Sequence, residues 1–158
     1  MATANLSKII PGSLPSAAAM RVGIIVSAWN PEITEALYQG ARETLLAAGA
    51  SEENIIRSVV PGSFELPLGA KWMLEKEKVS AVICLGCVIQ GETRHFDFIC
   101  HAVSNGIMQL QIESSTPVIF GVLTTDTLAQ ARDRSGGKHG NKGVEAAATA
   151  IHMVALRR

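Results

Sequence analysis

The chain has 158 residues, with 14 basic and 14 acidic side chains, 47% hydrophobic residues and only 18% charged residues. Its formal net charge of zero creates no global field toward nucleic acid or an anionic membrane, so neither is an expected partner and any anion site has to be local. The absence of a long apolar run and of a signal-peptide core predicts a cytoplasmic protein with reduced thiols.

Regular structure is predicted from residue 20 onward. Residues 1–19 lack clear periodicity and are assigned to an N-terminal arm, and residues 20–158 are assigned to a single domain. Short apolar runs predict strands, and apolar residues at helical spacing predict the helices between them. The predicted strands are 21–27, 54–60, 80–89 and 117–123, and the predicted helices are 31–48, 63–78, 95–114, 126–134 and 144–157.

The first helix has a clear start signal, because Asn30 can act as its N-cap and Pro31 as its first residue. Residues 135–143, rich in glycine and lysine, are predicted to form a loop. Strands that are apolar nearly throughout and alternate with helices indicate a parallel sheet covered on both faces. With right-handed crossovers, the sequence predicts an α/β fold: a three-layer α/β/α sandwich around a four-stranded parallel sheet.

Ligands of such sheets bind beyond the carboxyl ends of the strands. Three of the seven aromatic residues, Trp29, Phe64 and Phe96, fall at three successive strand-to-helix junctions. Trp29 and Phe64 could hold a flat heterocycle between them. Equally, both could be ordinary loop residues that cover the core.

The segment 91–94 precedes the third predicted helix, where unpaired backbone N–H groups and the helix dipole favour an anion. Glu92 speaks mildly against an anion site, unless its side chain points away and only its amide is used. His95 follows this segment. Histidine side chains exchange protons near neutral pH, so His95 is a candidate for proton transfer, and a helix-capping role without chemistry is the alternative.

A basic patch precedes the last helix. Arg134 within it could hold a phosphate bidentately, although the patch as a whole could equally be a solvated loop. A nucleoside-triphosphate loop is excluded, because Lys142 is followed by Gly143 and not by serine or threonine. Cys84 and Cys87 lie three residues apart in a predicted strand and so face opposite sides, which argues against a redox or metal site. The patch comprises Arg132, Arg134, Lys138, His139 and Lys142, diluted by Asp133.

Three segments taken together resemble one family. They are residues 61–67 (PGSFELP), 91–97 (GETRHFD) and 138–143 (KHGNKG). In this order and spacing they resemble lumazine synthase, the 6,7-dimethyl-8-ribityllumazine synthase family of riboflavin synthesis. Each motif alone is modest, but the set is specific, and the resemblance runs from about residue 21 to residue 151. It agrees with a flavodoxin-like form of the predicted sandwich.

The resemblance implies a condensation that needs no cofactor. In the family, 5-amino-6-(D-ribitylamino)uracil joins 3,4-dihydroxy-2-butanone 4-phosphate. The amine forms a Schiff base with the ketone, phosphate is eliminated, and ring closure with loss of water gives the lumazine. A flat ring, an anion site and a proton-transfer residue are the features that this chemistry requires.

The resemblance also implies roles for individual residues. Trp29, where the family often has phenylalanine, would stack on the pyrimidine, and His95 would transfer protons. One half of the site would come from a neighbouring subunit, with its Arg134 gripping the phosphate; no metal is expected. The other implied substrate-binding residues are Ser63, Phe64, Glu65, the backbone of Cys87, Val88 and Ile89, Glu92 and Thr93 for the phosphate, and Phe120 and Lys142 from the neighbour, with Asn30 and Glu145 in support.

The family forms pentamers, which can pair or close into sixty-subunit icosahedral shells. The short segment 135–143 favours a shell, because strictly pentameric members often carry an insertion there. Riboflavin synthase is a possible partner of such a shell. The low charge content agrees with self-association, but an alanine-rich chain would look the same.

Other functions remain open at this point. A non-catalytic lumazine- or flavin-binding scaffold shell would keep the aromatic residues but would not need His95. A riboflavin synthase of related fold would have no phosphate to bind, so Arg134 and the segment 91–93 speak against it. A flavodoxin-like FMN-binding protein would require a redox partner.

Overall fold

The computed structural model describes Lys8 and residues 13–157. Within these residues, strands and helices alternate along the chain, and no helix is long and apolar enough to cross a membrane. The elements are β1 (Val22–Ser27), α1 (Pro31–Ala47), β2 (Ile55–Val60), α2 (Leu66–Lys76), β3 (Ala81–Ile89), α3 (His95–Ser114), β4 (Val118–Thr125), α4 (Leu128–Arg134), β5 (Ser135–Gly137), β6 (Gly140–Asn141) and α5 (Lys142–Leu156).

The main sheet has four parallel strands in the order β2-β1-β3-β4. Helices α1 and α5 cover one face, where Leu37 and Ile151 share a buried cluster with Leu85 of β3. Helices α2 and α3 cover the other face, where Leu66 packs in a second cluster with Val82. The predicted three-layer α/β/α sandwich is therefore confirmed.

The two central strands carry the clearest sequence signal. All six residues of β1 are buried, as are the first seven of β3, because helices cover both faces of these strands. The edge strand β2 is buried only at its first residue. The apolar runs that predicted a parallel sheet thus correspond to its centre.

The first turn of α5 approaches α1 unusually closely. A Cβ atom added to Gly143 would lie 1.9 Å from the carbonyl oxygen of Leu37. Ala147 and Ala150 are small buried residues one and two turns further along the same face of α5. Glycine and alanine at these positions bring the backbones of the two helices together.

The structure differs from the sequence prediction at several element boundaries and in one predicted loop. The predicted helix from residue 63 begins as a 3-10 turn, Ser63–Glu65, and becomes α-helical only at Leu66. Strand β4 runs to Thr125, two residues beyond its predicted end. The predicted loop 135–143 contains the hairpin β5–β6, because Gly136 and Gly140 adopt positive φ angles that suit tight turns.

The predicted N-terminal arm lies mostly outside the described residues, and its boundary stays a prediction. Residues 1–7 and 9–12 are not described. Ala17 is fully buried, and its N–H donates to the carbonyl oxygen of Ala48 at 2.8 Å. The chain is therefore attached to the end of α1 from about residue 17.

We expect Gly143→Ala to destabilise the fold by about 1–3 kcal/mol, because its Cβ would overlap a backbone atom that cannot move without shifting α1. Gly91→Ala is the matched control, since a Cβ added to Gly91 meets nothing within 4 Å. The measurement is equilibrium unfolding in urea at fixed protein concentration. Equal unfolding midpoints for the two variants would contradict the described α1–α5 contact.

Candidate active site

Eleven predicted site residues lie in the last positions of β1, β2 and β3 or in the segments that directly follow these strands. We call them the strand-end cluster: Trp29, Asn30, Ser63, Phe64, Glu65, Cys87, Val88, Ile89, Glu92, Thr93 and His95. The carboxyl ends of parallel strands meet at one edge of the sheet, so these residues share that edge. This is the edge at which ligands of open α/β sheets bind.

The two aromatic side chains of the strand-end cluster are open to solvent. Trp29 is 67% exposed and Phe64 is 54% exposed. The Trp29 ring lies close over Gly62, where an added Cβ would be 2.9 Å from the ring atom Cε3. The backbone turn after β2 therefore supports the Trp29 ring from one side, and the exposed ring surface can stack on a flat ligand.

Asn30 holds the turn after β1 against the end of β3. Its side-chain amide donates to the carbonyl oxygen of Cys87 at 3.1 Å, and its backbone is left-handed, with φ 57° and ψ 54°. Helix α1 begins at Pro31 as predicted, but the expected N-cap hydrogen bond of the Asn30 side chain is absent. The side chain bridges two strands instead, and its left-handed backbone departs from the extended conformation that an N-cap residue usually adopts.

Ser63 and Glu65 shape the turn after β2. The Glu65 carboxylate accepts a hydrogen bond from the N–H of Gly62 at 3.0 Å. Ser63 is buried, and among the described residues its hydroxyl has no hydrogen-bond partner. An added Cβ on Gly86 of β3 would lie 2.6 Å from that hydroxyl oxygen, so the glycine makes room for Ser63. An unsatisfied buried hydroxyl at this edge suits a hydroxylated ligand.

The segment after β3 leads into the N-terminus of α3, a helix of twenty residues. Glu92, Thr93 and His95 are all exposed. The Thr93 hydroxyl oxygen accepts a long hydrogen bond of 3.4 Å from the N–H of His95, which leaves its hydroxyl hydrogen able to donate. An exposed helix N-terminus with a hydroxyl donor is a suitable place for an anion.

The remaining predicted residues form a second group, the β4-edge cluster: Phe120, Arg134, Lys142 and Glu145. They line a cavity of about 440 Å³ beside the edge strand β4. None of the strand-end residues is among the described residues that line this cavity. A single chain therefore presents two separate groups of predicted site residues.

One buried carboxylate organises the β4-edge cluster. Glu145 is only 8% exposed, and it lies 3.0 Å from the ammonium nitrogen of Lys142 and 3.6 Å from a guanidinium nitrogen of Arg134. Arg134 also donates to the carbonyl oxygen of His139 at 3.3 Å. Because two cations share one carboxylate, neither is fully neutralised, although Asp133 lines the same cavity. Arg134 and Lys142 are thus held and remain able to bind an anion or a carbonyl oxygen.

Of the other residues of the predicted basic patch, Arg132 is in an ion pair and Lys138 is exposed to solvent. Arg132 makes a bidentate ion pair with Glu32 at 2.6 and 3.0 Å, and this hydrogen bonding lowers the pKa of the Glu32 carboxyl. Lys138 is exposed, as expected for a solvated loop. Arg132 therefore fastens α4 to the start of α1, and Arg134 is the arginine that faces the cavity.

Five further residues that line this cavity were not predicted as site residues: Val122, Leu123, Thr124, Thr125 and Gln130. Thr125 lines the β4-edge cavity, and its buried hydroxyl has no partner among the described residues. Gln130 lines the same cavity from α4. Thr125 follows the predicted end of β4 at residue 123, and this place at the carboxyl end of a strand was the signal that marked it as a candidate.

The cysteines of β3 face opposite sides of the sheet, as predicted. Cys84 packs in the cluster under α2 and α3, and Cys87 packs in the cluster under α1 and α5. Burial raises the pKa of the Cys84 thiol to about 12 and that of the Cys87 thiol to about 11. Across Lys8 and residues 13–157, histidine, cysteine and acidic side chains form no group of three placed to hold a metal ion.

At pH 8 we expect iodoacetamide to modify native Cys100 and to spare Cys84 and Cys87. Burial and raised pKa values leave Cys84 and Cys87 almost no accessible thiolate at pH 8. The pKa of Cys100 is also raised, by burial and then by Asp97, but its side chain is only half-buried and can be reached by the reagent. Mass spectrometry of peptides after timed labelling gives the result, and labelling in denaturant is the control that exposes all three thiols. Labelling of Cys87 at the rate of Cys100 would contradict the described packing.

Comparisons with known proteins show the family of this chain. The sequence profile of 6,7-dimethyl-8-ribityllumazine synthase matches residues 19–158. Proteins named 6,7-dimethyl-8-ribityllumazine synthase are similar throughout. The protein of Cytophaga hutchinsonii is 61% identical to this chain, and the match covers 96% of this chain and 94% of that protein. The protein of Porphyromonas gingivalis is 52% identical, over 100% of this chain and 99% of that protein. The protein of Parabacteroides distasonis is 53% identical, over 98% of this chain and 98% of that protein. The chain belongs to the 6,7-dimethyl-8-ribityllumazine synthase family.

Proposed function

We propose that this chain condenses 5-amino-6-(D-ribitylamino)uracil with 3,4-dihydroxy-2-butanone 4-phosphate to 6,7-dimethyl-8-ribityllumazine, a transferase-type step of riboflavin biosynthesis. The observation that carries this function is the family match over residues 19–158. Exposed aromatic rings, a helix N-terminus and two partly neutralised cations support it, because the reaction needs to hold a flat ring and a phosphate together.

The reaction needs placement and proton transfer. The 5-amino nitrogen attacks the ketone carbonyl and water leaves to form the Schiff base. Phosphate is then eliminated from C4, the enol that this leaves at C3 tautomerises to a ketone, and the ribitylamino nitrogen closes the ring onto that new carbonyl with loss of another water. When both substrates are bound in the reacting geometry, their loss of translational freedom has already occurred on binding, and this alone lowers much of the barrier. The protein has to orient the two substrates, stabilise the departing phosphate and move protons.

The strand-end cluster is suited to the ring substrate. The exposed face of Trp29 would stack on the pyrimidine, with Phe64 beside it. The unsatisfied hydroxyl of Ser63 and the Glu65 carboxylate would meet ribityl hydroxyls. The backbone of residues 87–89 would contact the ring, and Asn30 supports this wall through its bond to Cys87.

The phosphate would bind between two sources of positive potential. One is the N-terminus of α3, with the amides of the segment 91–94 and the hydroxyl of Thr93. The other is Arg134, with Lys142 nearby for a carbonyl oxygen of the ring. His95 opens α3 and is exposed, so it could reach the nitrogen and hydroxyl groups that exchange protons.

The two clusters would meet across a subunit interface. None of the strand-end residues lines the β4-edge cavity in the described part of one chain, so the complete site that we propose uses the β4-edge cluster of a second copy. Surface chemistry supports self-association. Of the twenty residues of α3, Val103 and Ile107 are the buried ones, whereas Phe98 is 71% exposed and Ile112 is 69% exposed.

The assembly that we propose is a homopentamer, with closure of pentamers into a sixty-subunit shell. The segment 135–143 supports the shell, because it is short and most of it forms the hairpin β5–β6. Such a shell could enclose riboflavin synthase, and a cytoplasmic location fits the enzyme.

The function is tested by mixing both substrates with the protein and following lumazine absorbance and phosphate release together. Both signals should rise in equal amounts and faster than the uncatalysed background. Feeding the lumazine alone is the control for riboflavin synthase activity. Binding of the ribitylaminouracil without either signal would favour a non-catalytic carrier instead.

We expect His95→Ala to lower kcat by about 10²-fold, the low end for proton transfer by a side chain, because substrate placement survives. Binding of the ribitylaminouracil, followed by quenching of tryptophan fluorescence, to which Trp29 and Trp72 both contribute, should stay within about twofold of the native protein because substrate placement is kept. His152→Ala is the matched control on α5, far along the chain from the strand ends. An unchanged kcat in His95→Ala would remove the proposed proton-transfer role.

Light scattering of the purified chain should give a mass of sixty copies of a 16.7 kDa chain, about 1,000 kDa. The reason is that the short hairpin leaves pentamers free to pack against one another. Electron microscopy on the same sample distinguishes a shell from an aggregate. Particles of five copies alone would overturn the shell and keep the pentamer.

A further inference from the structure

Asn141 connects three elements through its side chain. Its amide nitrogen donates to the carbonyl oxygens of Ala36 in α1 at 2.9 Å and of Ser135 in β5 at 3.2 Å. Its amide oxygen accepts from the N–H groups of Gly143 and Val144 at 2.8 and 3.4 Å, and so caps α5. One side chain therefore fixes α1, the start of the hairpin and the first turn of α5 relative to each other.

The surface of α1 is shaped to receive this side chain. A Cβ added to Gly40 would lie 2.6 Å from both Cγ and Oδ1 of Asn141. Any larger residue at position 40 would displace the amide from its place. Gly40 and Asn141 are thus complementary, although they lie far apart in the sequence.

Asn141 itself and its acceptor Ser135 adjoin the cations of the β4-edge cluster in the sequence. Ser135 directly follows Arg134, and Lys142 directly follows Asn141. Lys142 starts α5, where the helix dipole disfavours a cation, so its position depends on being held. Glu145 holds the tips of both cations, whereas Asn141 holds the backbone from which they extend.

We propose that Asn141 is a positioning residue that sets the spacing between Arg134 and Lys142 for substrate binding. It acts through these two residues and does not touch the substrate. The inference rests on the proposed phosphate role of Arg134. The amide N–H donors of Asn141 are the essential part of its side chain, because they tie the hairpin and α1 together. The amide oxygen, which caps α5, would alone hold only α5.

The test separates the donors from the cap. Asn141→Asp keeps the capping acceptor and loses both donors to the carbonyl oxygens. We expect the inhibition constant of inorganic phosphate and the KM of the butanone phosphate to rise about tenfold, the equivalent of one hydrogen bond of ordinary strength, while kcat falls less than about threefold. Gly40→Ala should reproduce this pattern from outside the cluster, because its Cβ displaces the amide.

Two controls make the outcome decisive. Asn54→Asp loses a comparable amide donor, to the hydroxyl of Ser51 at 2.9 Å, near the opposite end of the sheet, and should leave phosphate inhibition unchanged. Arg134→Gln should weaken phosphate inhibition at least as much as Asn141→Asp. Where Asn141→Asp fails to fold, Asn141→Ser replaces it, since a serine hydroxyl caps a helix but cannot supply both donors.

The outcomes that would contradict the proposal differ in what they imply for the site. Native phosphate inhibition in Asn141→Asp or its serine replacement, with weak inhibition in Arg134→Gln, would overturn the positioning role and keep the proposed site. Native inhibition in Arg134→Gln would remove the phosphate role of Arg134 and with it the inference. Equal rises in the constants for Asn54→Asp and Asn141→Asp would mean a general loss of stability, and this would also overturn the inference.

Discussion

The close contact between helices α1 and α5 is the constraint on which half of the candidate site depends. Gly40 and Gly143 lack the side chains that would separate the helices, so backbone and amide groups of α5 meet α1 directly. This fixes where α5 begins, and Lys142 stands at that point. Arg134 is placed by the other end of the same hairpin, and buried Glu145 then draws both cations toward one cavity. The close packing of α1 against α5 therefore determines where the charges of Arg134 and Lys142 lie at the cavity.

The other half of the site depends on the parallel sheet. Because all four strands run in the same direction, the ends of β1, β2 and β3 present their polar and aromatic residues at one edge. The β4-edge cluster lies beside the edge strand instead. These two groups of candidate residues lie on different borders of one chain, and α3 carries exposed apolar residues; the proposed site shared between neighbours requires both features.

Much of the fold could be predicted from the sequence, because β1 and β3 are buried on both faces and are apolar nearly throughout. The hairpin after α4 could not, since it depends on positive φ angles at glycines that a loop would share. The motifs indicated most candidate site residues. Their partners were hidden: Asn30 reaches Cys87 across two strands, and Asn141 reaches Ala36 across 105 positions. Such pairings arise from tertiary packing and leave no local pattern.

The most direct test of the shared site is complementation between two inactive variants. Trp29→Ala damages the strand-end cluster, and Arg134→Gln damages the β4-edge cluster. When the two chains are refolded together in equal amounts, random mixing in a ring should restore about a quarter of the sites, because each site needs one intact half from each of two neighbours. We predict activity near a quarter of the native value in the mixture and little in either variant alone. Activity in the mixture no higher than the mean of the separate variants would contradict a site shared between subunits.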